Sequence, residues 1–356
     1  MRTPKPPHVS SPAYSPTDYD ARCVARRSRR SGLVWCAALV SGVVASSGLS
    51  VPAAASALPS IERSASVLPP GTVFVLNAGA PAGTGNGSVT AYRPTPNGNA
   101  RPSLVIVTGI IDPIGLTFDS SGDLWVANKD NVVEYSKVEL TTASPAPTLT
   151  ITERATGPAG VAFDPSGDLW VAEGAAVEFT NAQLAKSGSP KPKVVIASGN
   201  LCSLAFDPSG DLWEGSNSDT VSDFTKAQLA VSGLPTPHIT VSSSALKAPC
   251  RPTFDAAGDM WTANFDADTV VEFTKAQLAK SGPRAPWVTL TYRRLSNPGD
   301  VALDAAGDLW VPSPGDNLVV EFTKSQLDKS GSPAPARSVM GPATRLGYPW
   351  AVAVEP

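Results

Sequence analysis

The chain has 356 residues, 42% of them apolar and 17% charged, enough to bury a large core and too apolar for a generically disordered polymer. Its charge is divided: residues 1–57 carry seven Lys/Arg against Asp18 and Asp20, a net of +5, which leaves −8 on residues 58–356 out of the whole-chain −3. A body this acidic, with no basic stripe, excludes a phosphate-binding surface and with it nucleic acid as a partner.

The basic head has its own logic. Arg26-Arg27-Ser28-Arg29-Arg30 precedes an apolar run from Leu33 to Val51 and then Ala55-Ser56-Ala57. A charged region, an apolar region and an A-x-A site form an export signal, predicting cleavage near Ala57 and a secreted or envelope location. Ser28-Arg29-Arg30 before Leu33 loosely matches a twin-arginine signal, so the export route stays open. The other reading of the run is an uncleaved anchor, since its length approaches that of a membrane span. No second apolar span follows, so no membrane attachment is expected once the leader is gone. Residues 58–70 read as a linker and 71–356 as one repeat domain.

That domain is written around Phe163-Asp164-Pro165-Ser166-Gly167-Asp168-Leu169-Trp170. The octet recurs at 118–125, 206–213, 254–261 and 303–310, with tryptophans spaced 45, 43, 48 and 49 residues apart. Such periods mark propeller blades, one four-stranded sheet each. A sixth copy begins at Gly71, with Phe74 in the tryptophan slot and no strand before it. The missing strand stands at the far end, where Tyr348 to Glu355 matches Gly157 to Asp164. The expected fold is therefore an all-β, six-bladed β-propeller closed by pairing the C-terminal strand with the N-terminal blade, which removes exposed sheet edges. Within a blade, strand one spans 160–163, strand two 168–172, strand three 176–180 and strand four 193–197. Asp164-Pro165-Ser166-Gly167 supplies the first turn. Thr180 to Gly188 and its copies from Thr225, Thr274 and Thr323 read as short helical turns on the rim, with Thr as N-cap and Gly as C′ residue. Ser136 starts a weaker copy.

Cys202 and Cys250 fall at equivalent places in successive repeats. In an oxidising compartment this suggests an inter-blade disulfide, the alternative being two small buried thiols.

The unit P-x-G-V-A-F-D-P-S-G-D-L-W-V-A followed by N-x-V-V-E-F resembles NHL-repeat propellers. More broadly it is similar to the six-bladed group that includes streptogramin (virginiamycin B) lyase and the gluconolactonase-like hydrolases, over residues 71–356. The resemblance implies the fold; the shared residues build blades and imply little about activity.

Six internal copies separate scaffold from site. Asp119, Asp164, Asp207, Asp255 and Asp304, and Glu134, Glu178, Glu272 and Glu321, recur and belong to the blade. Residues that break the pattern at the mouth of the ring are candidates for a ligand: Asn128, Glu173, Arg251, Asn264, Asp300 and Trp350, with Glu214 and Phe265-Asp266 beside them. A solvated loop contains the same residue types. The expected ligand is a protein, peptide or glycan, the expected cofactor none, and the expected state a monomer. The resemblance to gluconolactonase-like enzymes implies a second possibility, Ca or Mg in the channel held by Glu173, Asn128 and Asp300. Streptogramin lyases rely on a channel histidine as base. Here His8 lies in the leader and His238 belongs to an outer strand, so that chemistry lacks its proton acceptor.

Overall fold

Apolar runs of four or five residues are too short for helices. They are also too uniformly apolar for a sheet wetted on one face, so they form strands covered on both sides. The computed structural model describes residues 67–79, 87–152, 157–198, 201–216 and 218–356. The leader, its cleavage site and the linker up to residue 66 lie outside the described residues. Among the described residues no helix is long and apolar enough to cross a membrane.

Six antiparallel sheets follow, each read from the axis outward. Blade two is Gly115–Phe118, Leu124–Ala127, Asn131–Tyr135 and Leu149–Thr152. Blade three is Gly160–Phe163, Leu169–Ala172, Ala176–Phe179 and Val194–Ile196. Blade four is Leu201–Phe206, Leu212–Ser216, Thr220–Phe224 and Ile239–Ser242. Blade five is Pro249–Phe254, Met260–Asn264, Thr269–Phe273 and Val288–Thr291. Blade six is Ala302–Leu303, Leu309–Ser313, Leu318–Phe322 and Arg337–Val339. Blade one is composite: Pro349–Val354 forms its inner strand, followed by Val73–Asn77, Ser88–Tyr92 and Leu104–Ile106. Val73 faces Val354, Phe74 faces Ala353 and Val75 faces Val352. The expected closure holds, and the molecule is a six-bladed ring.

The repeated octet has a packing reason. Asp164 Oδ1 accepts from the Ser166 and Asp168 amides at 2.8 and 3.0 Å, and Gly167 takes φ +80° to complete the turn. The other four copies make the same pair of bonds. In blades two, four and six the second carboxylate oxygen accepts from the tryptophan Nε1 at 3.1, 3.2 and 3.3 Å. Each tryptophan then lies across the next blade: Trp125 meets Phe163, Trp170 meets Phe206 and Trp213 meets Phe254, with ring centroids 5.4 to 5.9 Å apart. Such pairs contribute about 0.5–1.5 kcal/mol beyond their burial. The core is therefore a set of interfaces between blades, which is why the motif joins a Phe and a Trp across one turn.

The rim carries the expected short helical turns, but the glycine after them has another role. Thr274 and Gln277 form a reciprocal capping box, but the helix is a single turn, Lys275–Leu278; the corresponding turns elsewhere are three-residue 3-10 segments. The Ser-Gly that follows is not a helix cap. Gly188, Gly233 and Gly331 bridge in parallel to Ile151, Ile196 and Leu290 of the preceding blade's outer strand, and Gly282 pairs with Val241. The preceding serines Ser187, Ser232, Ser281 and Ser330 each accept an outer-strand amide at 3.0 to 3.1 Å. Asn97-Gly98 does the same between blades one and six. The chain thus straps each of these blades to its predecessor. Outer strands have orphan N–H and C=O groups, and a flexible Ser-Gly satisfies them at a lower cost than a longer helix would.

Candidate functional site

Six inner strands crowd one axis, so side chains there must be small or must share space. Gly115, Gly160, Ser203 and Ala351 are small; Arg251 and Asp300 are not. A β-bulge explains how Arg251 reaches the axis. Cys250 faces Ala263 and Thr253 faces Trp261, so Arg251 and Pro252 together oppose Thr262. Proline lacks the ladder N–H and tolerates such a site. Arg251 adopts φ +51°, a left-handed conformation costly for a residue with a side chain.

The guanidinium then spans the ring. Its Nη2 donates to the Ile114 carbonyl of blade two and, at 2.9 Å, to the Ala159 carbonyl of blade three. Nη1 lies 3.9 Å from Asp300 Oδ2 on blade six. A Cβ at Gly115 would stand 3.0 Å from Nη1, so that glycine makes room for the arginine. Asp300 is buried and accepts from the Val301 amide at 2.9 Å and the Val352 amide of the closing strand at 3.0 Å. Burial raises its carboxyl to about 6, with Arg251 and the two amides pulling the other way. Arg251 and Asp300 form a strut across the channel, touching blades one, two, three, five and six.

The polar ring after strand two is largely engaged with loops. Asn128 accepts from the Ile111 amide at 3.1 Å and donates to the Gly109 carbonyl at 2.8 Å. Asn264 does the same with the Lys247 amide and the Ala245 carbonyl, at 3.2 and 2.9 Å. Asn77 accepts from Gly347 and Ser313 from Ser296. Each side chain holds the segment arriving from the preceding blade. Glu173 is buried at the equivalent place in blade three; residues 153–156, the corresponding arriving segment, lie outside the described residues. Glu214, in the slot that Val171 fills in blade three, is buried too, and that burial raises its carboxyl against a partial offset from Ser198.

A second bulge shapes the mouth. Leu76 faces Ala351 while Asn77 faces Pro349, leaving Trp350 as the extra residue of the closing strand. Trp350 lies over Gly299, where a Cβ would be 3.4 Å from the indole. Phe265, from the loop after strand two of blade five, meets it edge-on at 5.5 Å and 61°, and Tyr348 stacks at 6.1 Å and 11°. All three rings remain partly exposed. Sequence reasoning found Trp350 and Phe265 and missed Tyr348. The overlooked signal was proline: Pro252 and Pro349 inside strand one mark the bulges that re-aim Arg251 and Trp350.

Other polar clusters are accounted for by the blade itself. Asp164, Asp168 and Glu178, and likewise Asp304, Asp308 and Glu321, bring their carboxylates close enough to hold a cation. The chain provides one in each case. Lys193 Nζ is 2.6 Å from Glu178 and 3.8 Å from Asp168, and Arg337 pairs with Glu321. Cys250 is disulfide-bonded; the side chain of Cys202 lies outside the described residues. Cavities also open away from the axis among the described residues. One of about 110 Å³ opens beside Asp211, Asp223 and His238, and one of about 590 Å³ lies in the cleft between blades six and one, beside Arg294, Asp316 and Met340.

No family model and no curated protein matches the chain. Solved structures do. A chain of the nidogen/laminin complex is 14% identical with a TM-score of 0.56, over 80% of this chain and 99% of that one. A protein of unknown function from Bacteroides caccae is 11% identical at 0.50, over 80% and 98%. A catalytically inactive virginiamycin B lyase from Staphylococcus aureus with quinupristin is 14% identical at 0.44, over 69% and 76%. At these identities the likeness is one of fold, and the class it defines is the six-bladed β-propeller.

Proposed function

We propose that this chain is an exported binding or scaffold module, working as a monomer, that takes a protein, peptide or glycan ligand at the mouth of its propeller. The observation that carries the reading is the Phe265–Trp350–Tyr348 cluster. Three partly exposed rings sit together where a bulge has turned Trp350 outward, beside an axis already filled by Arg251. Flat apolar faces with polar edges suit sugar rings and peptide side chains, and such aromatic anchors dominate binding energetics. Export rests on the leader sequence at 1–57. A chain of similar fold comes from a complex of nidogen and laminin, which fits a reading as a binding module.

The test is to probe glycan and peptide arrays with the labelled mature protein, beside Trp350→Ala and Phe265→Ala. Binding that falls at least tenfold in both variants supports the mouth; binding untouched by either places the ligand elsewhere. Metal analysis of the same preparation addresses the enzyme reading. Stoichiometric Ca or Mg, lost on substitution of Glu173, would favour a lyase-like or lactone-hydrolase-like role.

A further inference from the structure

The straps cover five of the six junctions, and the exception is specific. From the buried rim leucine to the start of the outer strand the chain takes ten steps in blades three to six: Leu184 to Val194, Leu229 to Ile239, Leu278 to Val288 and Leu327 to Arg337. In blade two, Leu140 to Leu149 takes nine. The missing residue is the strap glycine, because Ser187-Gly188-Ser189-Pro190 corresponds to Ala143-Ser144-Pro145. Leu140 still docks in the core beside Leu104 and Ile106 of blade one. The segment beyond folds back on its own turn, with the Ala146 amide donating to Glu139 Oε1 at 2.9 Å.

Among the described residues, the outer strand of blade one is left open as a result. By register, Val105 faces Thr90 as Thr150 faces Val133. The strap bonds at Thr150 and Thr152 are the Gly188 amide to Thr150 O, the Thr152 amide to Gly188 O, and the Thr150 amide to Ser187 Oγ. Their counterparts at Val105 and Val107 have no acceptor or donor among the described residues. The side chains change with them. Where blade two has Thr150 and Thr152, blade one has Val105 and Val107, the latter 61% exposed. The rim turn above presents Val138, 78% exposed, where blades three to five have alanine. An open edge with apolar neighbours is a template for strand addition.

We propose that Leu104–Val107 is a docking site for an extended peptide carrying a small hydrogen-bonding residue followed by glycine, Ser-Gly or Asn-Gly, that adds parallel to the strand. The five internal straps specify this occupant: each presents that dipeptide to the same donors and acceptors in the same direction. This surface is separate from the mouth, so it stands or falls apart from the reading given above.

The test uses the mature protein and a synthetic peptide copying residues 184–192, with amide hydrogen exchange as the readout. Expected is saturable slowing of exchange at Val105 and Val107, at least tenfold weaker for a peptide with proline in place of the glycine. A second variant carries Ala143→Ser with a glycine inserted after it, which restores the strap length. It should stay folded, protect the same amides without peptide, and no longer bind. Absence of protection at about 1 mM peptide, a binding free energy weaker than about 4 kcal/mol, overturns the proposal. So does concentration-dependent dimerisation that protects Val105 without peptide, which would assign the edge to a second copy.

Discussion

Replacing Arg251 by methionine tests the axial strut directly. In the folded protein Asp300 titrates at about 6 instead of its ordinary 3.8. A carboxyl raised in this way holds its proton more tightly folded than unfolded, so stability falls as pH rises from about 4 to about 6. At 1.36 kcal/mol per pH unit, keeping Asp300 ionised at pH 7 costs about 3 kcal/mol even with Arg251 present. Without Arg251 the carboxyl loses its counter-charge, and the Ile114 and Ala159 carbonyls lose a charged donor. Breaking a buried pair typically costs about 3–5 kcal/mol. At pH 5 Asp300 is protonated in both proteins, so the loss should shrink to that of the carbonyl bonds, about 2 kcal/mol. Guanidinium unfolding of wild type and Arg251→Met at pH 5 and 7 reads both numbers, and Asp300→Asn in the Met background should recover part of the pH 7 loss. Equal losses at the two pH values would refute the coupling of Arg251 to Asp300.

Glu272, like Glu134, is a scaffold carboxyl with no cation paired to it among the described residues. Burial, then Asp259, Asp255 and Asp328, raise it to about 7, and exposed Trp287 occupies the place that Lys193 fills in blade three. Stability should therefore fall as pH rises from about 4.5 to 7. Allowing for solvent screening at the rim, the loss is on the order of 1 kcal/mol. Thermal melts against pH should show this step flattened in Glu272→Gln and reduced in Trp287→Lys. Asn264→Ala removes the side chain that bonds the Lys247 amide and the Ala245 carbonyl. It should cost about 1–3 kcal/mol by urea unfolding, with far-UV circular dichroism unchanged. Deleting residues 349–356 exposes the Val73–Asn77 edge, and size-exclusion chromatography should show aggregation in place of the intact chain's elution peak.

Much of this architecture is legible in the residues. The octet repeats because Asp164 must cap its own turn and Trp170 must reach Phe206, so one packing requirement is spelled out in every copy. Closure is legible for the same reason, since Val352 and Val161 fill the same slot. The site is less so, because its residues appear once and no second copy calibrates them. Arg251 stood out as a deviant, but its partners are backbone carbonyls of Ile114 and Ala159, and a carbonyl leaves no signature in sequence. Its space comes from Gly115, 136 residues away, a pairing that only the ring brings together. Thr180 to Gly188 reads as a short helical turn and contains one, but the pairing of its Ser187-Gly188 with the neighbouring blade's edge leaves no mark in the local pattern.

The composite blade also governs how the chain comes together. Five sheets draw all their antiparallel strands from neighbouring sequence, so each can assemble as its own stretch emerges. Blade one cannot: Val73 waits for Val354, and until the tail arrives the ring has no clasp. Loop closure over that span is entropically slow, and an unclasped ring bares two sheet edges meanwhile. The strand Pro349–Val354 thus acts as a timer, holding the molecule in an unlocked form until those residues have been made.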